Sequence, residues 1–182
     1  ASEGMLSGGV TPVVKHMPGH GRASVDSHKE LPVVDTPIEE LRETDFAPFK
    51  SLNDLPCAMT AHVIYSQIDS EKCATISPKI IKEIIRGELD FQGVLFSDDL
   101  GMKALSGSPV QNALDALNAG CDLASNCNGS LEERRAVLEA TAYLKLKEDN
   151  NLIGFFRKKR APRAIDHDEL YEWLMDVVEE YV

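Results

Sequence analysis

Long apolar runs are missing from this sequence. None approaches the roughly 20 residues that a helix needs to cross a bilayer, so no membrane partner is expected. Positive charge is also scarce. Nineteen Lys and Arg stand against 30 Asp and Glu, a formal net charge of −11. Phosphates are repelled on average, and no nucleic-acid partner is expected. The four cysteines, Cys57, Cys73, Cys121 and Cys127, include no CxxC spacing. They read as reduced thiols of a cytoplasmic protein. An initiating Met is absent too. The chain opens Ala1-Ser2-Glu3-Gly4, which reads as a piece of a longer protein, so a missing targeting segment carries no weight. What is present is ordinary globular material: 182 residues, 43% hydrophobic, enough for one domain with a sizeable core.

Four times a short apolar run leads through polar or Gly-rich residues into a helical pattern. The runs are Val10 to Lys15, Cys57 to Val63, Gly93 to Ser97 and Cys121 to Ala124. After the first, Thr36, Pro37 and Glu39 read as a capping box with a first-turn proline, followed by Leu41, Phe46 and Phe49. After the second, Ser77-Pro78 opens a helix with Ile81, Ile84 and Ile85 on one face and Gly87 as its stop. After the third, Ser108-Pro109 caps a helix carrying Val110, Ala113, Leu114 and Leu117, ended by Gly120. After the fourth, Ser130 and Glu133 form a second capping box before Leu131, Val137, Leu138 and Leu144. Alternating β and α units with apolar strands predict an α/β fold with a parallel, helix-covered sheet. Four such units make the second half of a TIM (β/α)8 barrel, and a small doubly wound sheet is the competing architecture.

Residues 1–146 are expected to form this partial barrel, and residues 147–182 a charged linker and an amphipathic helix. Arg157 to Arg160 and Arg163 make a basic cluster. The helix from about Asp166 repeats Leu170, Trp173, Leu174, Val177, Val178 and Tyr181 at helical spacing. Seven acidic side chains follow the basic cluster directly, so a solvated linker and a terminal helix packed on the body are expected, not a nucleic-acid site.

Two constellations at strand ends carry the chemistry. Lys15-His16-Met17-Pro18-Gly19-His20-Gly21, continuing to Asp26-Ser27-His28, gathers three histidines, a lysine and an aspartate within fourteen residues. The glycines admit sharp turns close to a ligand. Asp26, two residues from His28, can orient that imidazole, making a general acid/base near neutral pH. Phe96-Ser97-Asp98-Asp99-Leu100-Gly101-Met102 places two adjacent carboxylates after a buried strand. One of them can serve as a nucleophile or a metal ligand, while Asp99 is expected to cap the turn. His62, ending a strand, reads equally as a structural histidine or a ligand contact.

These residues resemble a known family. KHMPGHG (residues 15–21), then DSH (26–28) and LP (31–32), resembles the signature of bacterial family 3 β-N-acetylglucosaminidases. MTAHVIY (59–65), GVLFSDDLGM (93–102) and AGCDL (119–123) are similar to later blocks of that family, in the same order. The resemblance implies a TIM barrel and a retaining mechanism. It makes Asp98 the nucleophile, His28 the acid/base and Asp26 its orienting partner, a departure from the usual carboxylate pair. It also implies that Lys15 and His16 bind sugar hydroxyls, with His62 and Met102 completing the substrate contacts. Neither a metal nor a cofactor is implied. The substrate would be a small carbohydrate, N-acetylglucosamine on peptidoglycan-derived muropeptides in the cytoplasm, and a partner would be the N-terminal half of the barrel. Ser125 and Asn126 depart from the aliphatic residues of the family's last strand, and nothing after Tyr143 matches.

Two other functions compete. One is a metal-dependent hydrolase built on His16, His20, Asp26, His28 and His62, against which no HxH or HExxH spacing is present. The other is an inactive fragment with residual sugar binding, since an open half barrel exposes apolar edges and faces.

Overall fold

A computed structural model describes residues 1–27, 29–142, 161, 164 and 166–181, with the side chains of residues 167, 180 and 181 left aside. The chain divides into two units: residues 12–158, and a smaller one of residues 1–11 with 159–182. The larger unit holds a four-stranded parallel sheet in the order β1 (Val13–Met17), β3 (Cys57–Thr60), β5 (Val94–Asp99), β6 (Leu123–Ser125). Each strand leads into the turns and helices that cover the sheet, so the α/β reading with four successive units holds. β1 starts three residues later than the sequence suggested. Pro12 has no N–H to give a ladder and Val10 is 54% exposed, so pairing begins after the proline.

Between β1 and β3 lie a long loop, β2 (Val33–Val34), α2 (Ile38–Glu43) and α3 (Ala47–Lys50). β2 pairs in parallel with β4 (Ile64–Tyr65), a two-stranded sheet that the sequence did not announce. The expected capping box at Thr36 and Glu39 is not formed. Pro37 has ψ 141 and stands as the N-cap itself, with no side-chain hydrogen bond, which leaves Thr36 one residue too early to reach the first-turn amides.

β3 leads through β4 and a 3₁₀ turn (Ala74–Ile76) to a wide helix, π1 (Ile80–Glu88). Ser77 Oγ accepts from Ile80 N at 3.1 Å, so its capping role holds. Ile80, Ile81, Ile84 and Ile85 are all buried. Gly87 does not stop this helix. It runs on to Glu88, where Leu89 N donates to Ile84 O at 2.8 Å, and the chain turns at Asp90 with φ 53. The next helix, α4 (Pro109–Ala119), follows the sequence closely: Ser108 Oγ accepts from Gln111 N at 3.2 Å and Gly120 ends it at φ 120. In α5 (Leu131–Thr141) the box is complete, Glu133 N to Ser130 Oγ 3.2 Å and Ser130 N to Glu133 Oε2 2.7 Å. Its apolar stripe is not buried, however. Leu131 and Leu138 are 77% and 70% exposed, and Val137 alone among these turns inward.

The core lies between sheet and helices: Leu41, Phe46, Tyr65, the four isoleucines of π1, Phe91 and Leu95 are at most 2% exposed. Three of the four β3 residues are buried, as a strand covered on both faces requires. Cys57, Cys73 and Cys121 are buried and Cys127 is exposed, all as free thiols. Among the described residues no helix is long and apolar enough to cross a membrane.

In the smaller unit, α1 (Ser2–Ser7) and α6 (His167–Tyr181) are helical. The amphipathic helix expected from about Asp166 is therefore present. Leu170, Trp173, Leu174 and Val178 on it are exposed. The basic cluster at 157–160 and Arg163, Leu144, and the expected boundary at 146/147 lie outside the described residues.

Candidate active site

Strand alternation assigns the two carboxylates of β5 to opposite faces. Asp99 points to the covered side and is 8% exposed. There its carboxylate accepts from Cys127 N (2.9 Å), Gly101 N (3.2 Å) and Asn128 Nδ2 (2.6 Å). Burial opposes its ionisation, but these donors and the nearby His62 together hold Asp99 below the usual carboxylate range. Its expected role in capping the turn is thus observed, and enlarged into a tie between the ends of β5 and β6.

Asp98 points the other way. Its Oδ1 accepts from Asp99 N at 2.8 Å, and the side chain keeps 16% of its surface open. His16, from the end of β1, brings Nε2 to 3.7 Å from Asp98 Oδ2, a contact and not a hydrogen bond. Burial lowers the His16 pKa; the pull of Asp98 opposes it, and Lys15, His20 and His62 add to the lowering. The imidazole is therefore neutral at neutral pH, able to offer one N–H and one lone pair. Lys15, beside it, is exposed.

His62 is fully buried. Its Nδ1 lies 2.8 Å from Thr75 Oγ1 and its Nε2 3.0 Å from the Asp99 carbonyl. A carbonyl only accepts, so Nε2 carries the proton. Burial lowers the pKa of His62, and its Nδ1 pairs with the Thr75 hydroxyl, which also donates to Ala61 O at 3.1 Å. Thr60 Oγ1, 2.9 Å from Thr75 Oγ1, completes the chain of hydroxyls. Both ring nitrogens of the buried His62 are thus occupied within the protein. Its work is to hold Asp99. Met102 is buried as well, and its N–H donates to Asp99 O at 3.1 Å, closing the turn behind the carboxylates.

The loop after β1 passes over these groups. The Lys15–His16 and Met17–Pro18 peptides are cis. Tyr65 donates its hydroxyl to Gly19 O, and Gly19, at φ 154, lies so close to Asp45 that a Cβ would meet Asp45 Cβ at 3.1 Å. Arg22 then clamps the loop to the end of α2, with Nε 2.6 Å from Asp45 Oδ2 and Nη2 3.1 Å from Thr44 Oγ1 and 2.9 Å from Glu40 Oε1. His20 Nε2 sits 3.3 Å from Ser27 Oγ, and its ring lies 5.7 Å from that of His16. Asp26 is exposed, and its carbonyl accepts from Lys29 N and Glu30 N in a tight turn. His28 lies outside the described residues, and with it the expected pairing to Asp26. A cleft of about 530 Å³, lined by Lys15, His16, His20, Arg22, Asp45 and Phe49, opens here.

The clamp on Arg22 and the cradle around Asp99 were missed in the sequence. Arg22 and Asp45 are 23 positions apart, with no motif linking them, and Asn128 reaches Asp99 only because β6 pairs beside β5. A polar residue just past a strand end was the one available signal for Asn128. No three His, Cys, Asp or Glu side chains among the described residues converge in a way that suits a metal ion.

The chain is similar to known proteins in sequence and fold. The profile of the glycosyl hydrolase family 3 N terminal domain matches residues 1–151. A beta-hexosaminidase of Haemophilus influenzae is 46% identical over 152 residues, 81% of this chain and 42% of that protein. A beta-hexosaminidase of Pasteurella multocida is 42% identical over 151 residues, 80% of this chain and 42% of that protein. Among solved structures, a family 3 β-N-acetylglucosaminidase from Paenibacillus superposes with a TM-score of 0.78 at 28% identity, over 91% of this chain and 35% of that one. The β-N-acetylglucosaminidase of Thermotoga maritima gives 0.71 at 34% identity, over 90% and 38%. The chain thus spans 42% of the length of these two curated relatives.

Proposed function

The chain belongs to glycosyl hydrolase family 3, and from that premise we propose that it carries the nucleophile of a retaining β-N-acetylhexosaminidase, with Asp98 as that nucleophile. The observation that carries this reading is the separation of the two carboxylates. Asp99 is locked by three donors on the covered side, while Asp98 stays partly open at the end of β5, beside His16.

In this mechanism Asp98 Oδ2 attacks the anomeric carbon as the glycosidic bond breaks, leaving a glycosyl ester that water then hydrolyses. Hydrogen bonding of Oδ1 to Asp99 N keeps the carboxylate in position through both steps. His28, oriented by Asp26, gives its proton to the leaving oxygen and then takes one from the water. Lys15 and His16 bind sugar hydroxyls at the open end of β1. The neutral state of His16 suits this, since it can both donate and accept. Both curated relatives are named beta-hexosaminidases and both structural neighbours β-N-acetylglucosaminidases, which supports N-acetylglucosamine as the released sugar. Muropeptides derived from peptidoglycan are the substrate we propose. Three buried thiols with no disulfide fit a reducing cytoplasm.

Hydrolysis of an aryl N-acetyl-β-glucosaminide by the chain, alone and with an upstream half barrel supplied in trans, tests the reading. Asp98→Asn should lower kcat by about 10³-fold or more, because no other group can form the ester. Turnover by Asp98→Asn at the parent rate would overturn the assignment.

A further inference from the structure

Past β6 the chain runs Asn126-Cys127-Asn128-Gly129 before the Ser130 cap of α5. Asn128 is exposed, yet its side-chain amide donates to Asp99 Oδ2 at 2.6 Å. Cys127 N donates to the other oxygen at 2.9 Å. Two neighbouring residues of one loop therefore hold the side chain of Asp99, whose backbone N–H donates to Asp98 Oδ1. Asn128-Gly129 is also the one Asn-Gly pair in the sequence. Glycine puts no side chain in the way of attack by its own backbone nitrogen on the preceding Asn carboxamide. Among the described residues, nothing accepts a hydrogen bond from Gly129 N, so no backbone bond restrains that nitrogen.

We propose that Asn128 is a deamidation site, and that its conversion to aspartate or isoaspartate releases Asp99 and disarms the nucleophile turn. Gly129 N, losing its proton to solvent base, attacks Cγ of Asn128. The N–Cγ bond forms, the Cγ–Nδ2 bond breaks, and ammonia leaves. Water then opens the cyclic imide at one carbonyl or the other, giving aspartate or isoaspartate. The net change is one water consumed and one ammonia released. Its consequence is electrostatic. A donor 2.6 Å from Asp99 becomes a carboxylate, which repels Asp99 instead of binding it. Isoaspartate also lengthens the main chain between Cys127 and Gly129, pulling the second donor out of line. Asp99 supplies the N–H that holds Asp98 and the carbonyl that accepts from His62, so both contacts loosen together. The chemical step stands independently of the proposed nucleophile; the loss of catalysis rests on that reading.

The test begins by ageing the whole chain in warm, mildly alkaline buffer and mapping its peptides by mass spectrometry. The peptide containing Asn128 should show the amide-to-acid mass gain, partly as isoaspartate, ahead of peptides holding the other asparagines, once the amide swings off Asp99. In parallel, Asn128→Asp should melt roughly 3–6 °C below the parent at neutral pH and recover part of that near pH 4, where a carboxyl of the pair is protonated. Asn128→Gln keeps an amide and should age without the mass gain. An unmodified Asn128 after other asparagines have converted would overturn the proposal. So would an Asn128→Asp chain that melts like the parent at neutral pH. Should Asn128→Asp not fold, the aged parent fractionated by charge supplies the same comparison. An active Asp98→Asn enzyme would sink the nucleophile reading and leave the ageing result standing.

Discussion

At the scale of the residue, Asp98 and Asp99 differ through their neighbours, not their chemistry. One is surrounded by donors and the other is left partly open. His62 has a comparable double life: a histidine at a strand end, it spends both nitrogens on Thr75 and the Asp99 carbonyl. Its pKa is lowered, chiefly by burial. A folded-state pKa below the unfolded value means that the unfolded chain binds more protons as the pH drops. Stability supplied by neutral His62 is therefore present above about pH 6.5 and lost as pH falls through the folded pKa. Chemical denaturation of the parent and of His62→Gln across that range should show a weaker acid-side loss for the variant. Identical pH profiles would rule out His62 as the source. Asp99 acts later on the same side. Its depressed pKa contributes stability above about pH 4 that fades below it.

At the scale of the element, the capping residues behave as local chemistry says they should. Ser108 and Ser130 each accept the expected amide, and Glu133 returns the bond. Ser130→Ala should cost about 1 kcal/mol in urea unfolding. The glycines separate more sharply. A Cβ at Gly93 would meet Leu55 O and Phe91 Cζ at 2.6 Å and Pro56 O at 2.7 Å, whereas at Gly21 nothing lies within 4 Å. Gly93→Ala should therefore destabilise by roughly 2 kcal/mol or more, and Gly21→Ala by less than about 0.5 kcal/mol. Equal effects from the two would contradict the packing before β5. Where sequence reading failed, the reason was also local. Thr36 was displaced from its cap by the extended ψ of Pro37, and Gly87 was carried inside a helix whose wide turns extend past it. The pairing of β2 with β4 was hidden because two residues carry no readable period.

At the scale of the whole molecule, the strands among the described residues form an open sheet. β1 and β6 are its outer strands, each paired on one side only among the described residues, and Val13 on β1 is 41% exposed. Unpaired edges of this kind template association. Sedimentation of the chain by itself should show association that rises with concentration, and Val13→Lys should reduce it. A strictly monomeric parent at high concentration would mean that the edges are already covered. The formal charge of −11 opposes self-association, so added salt should strengthen it by screening the repulsion.

By itself the sequence determined the alternation of strand and helix, three of the helix caps and the family, because each is written in contiguous residues: apolar runs, Ser-Pro and Ser-x-x-Glu, and blocks such as KHMPGHG and GVLFSDDLGM. Only the tertiary structure decided which partner each polar side chain takes. His62 became a support because Thr75 and the Asp99 carbonyl close on it. Arg22 became a clamp because α2 ends beside the loop. Asn128 became the guard of Asp99 because parallel pairing sets β6 against β5. Such contacts depend on where distant segments meet in space, and no local pattern records that meeting.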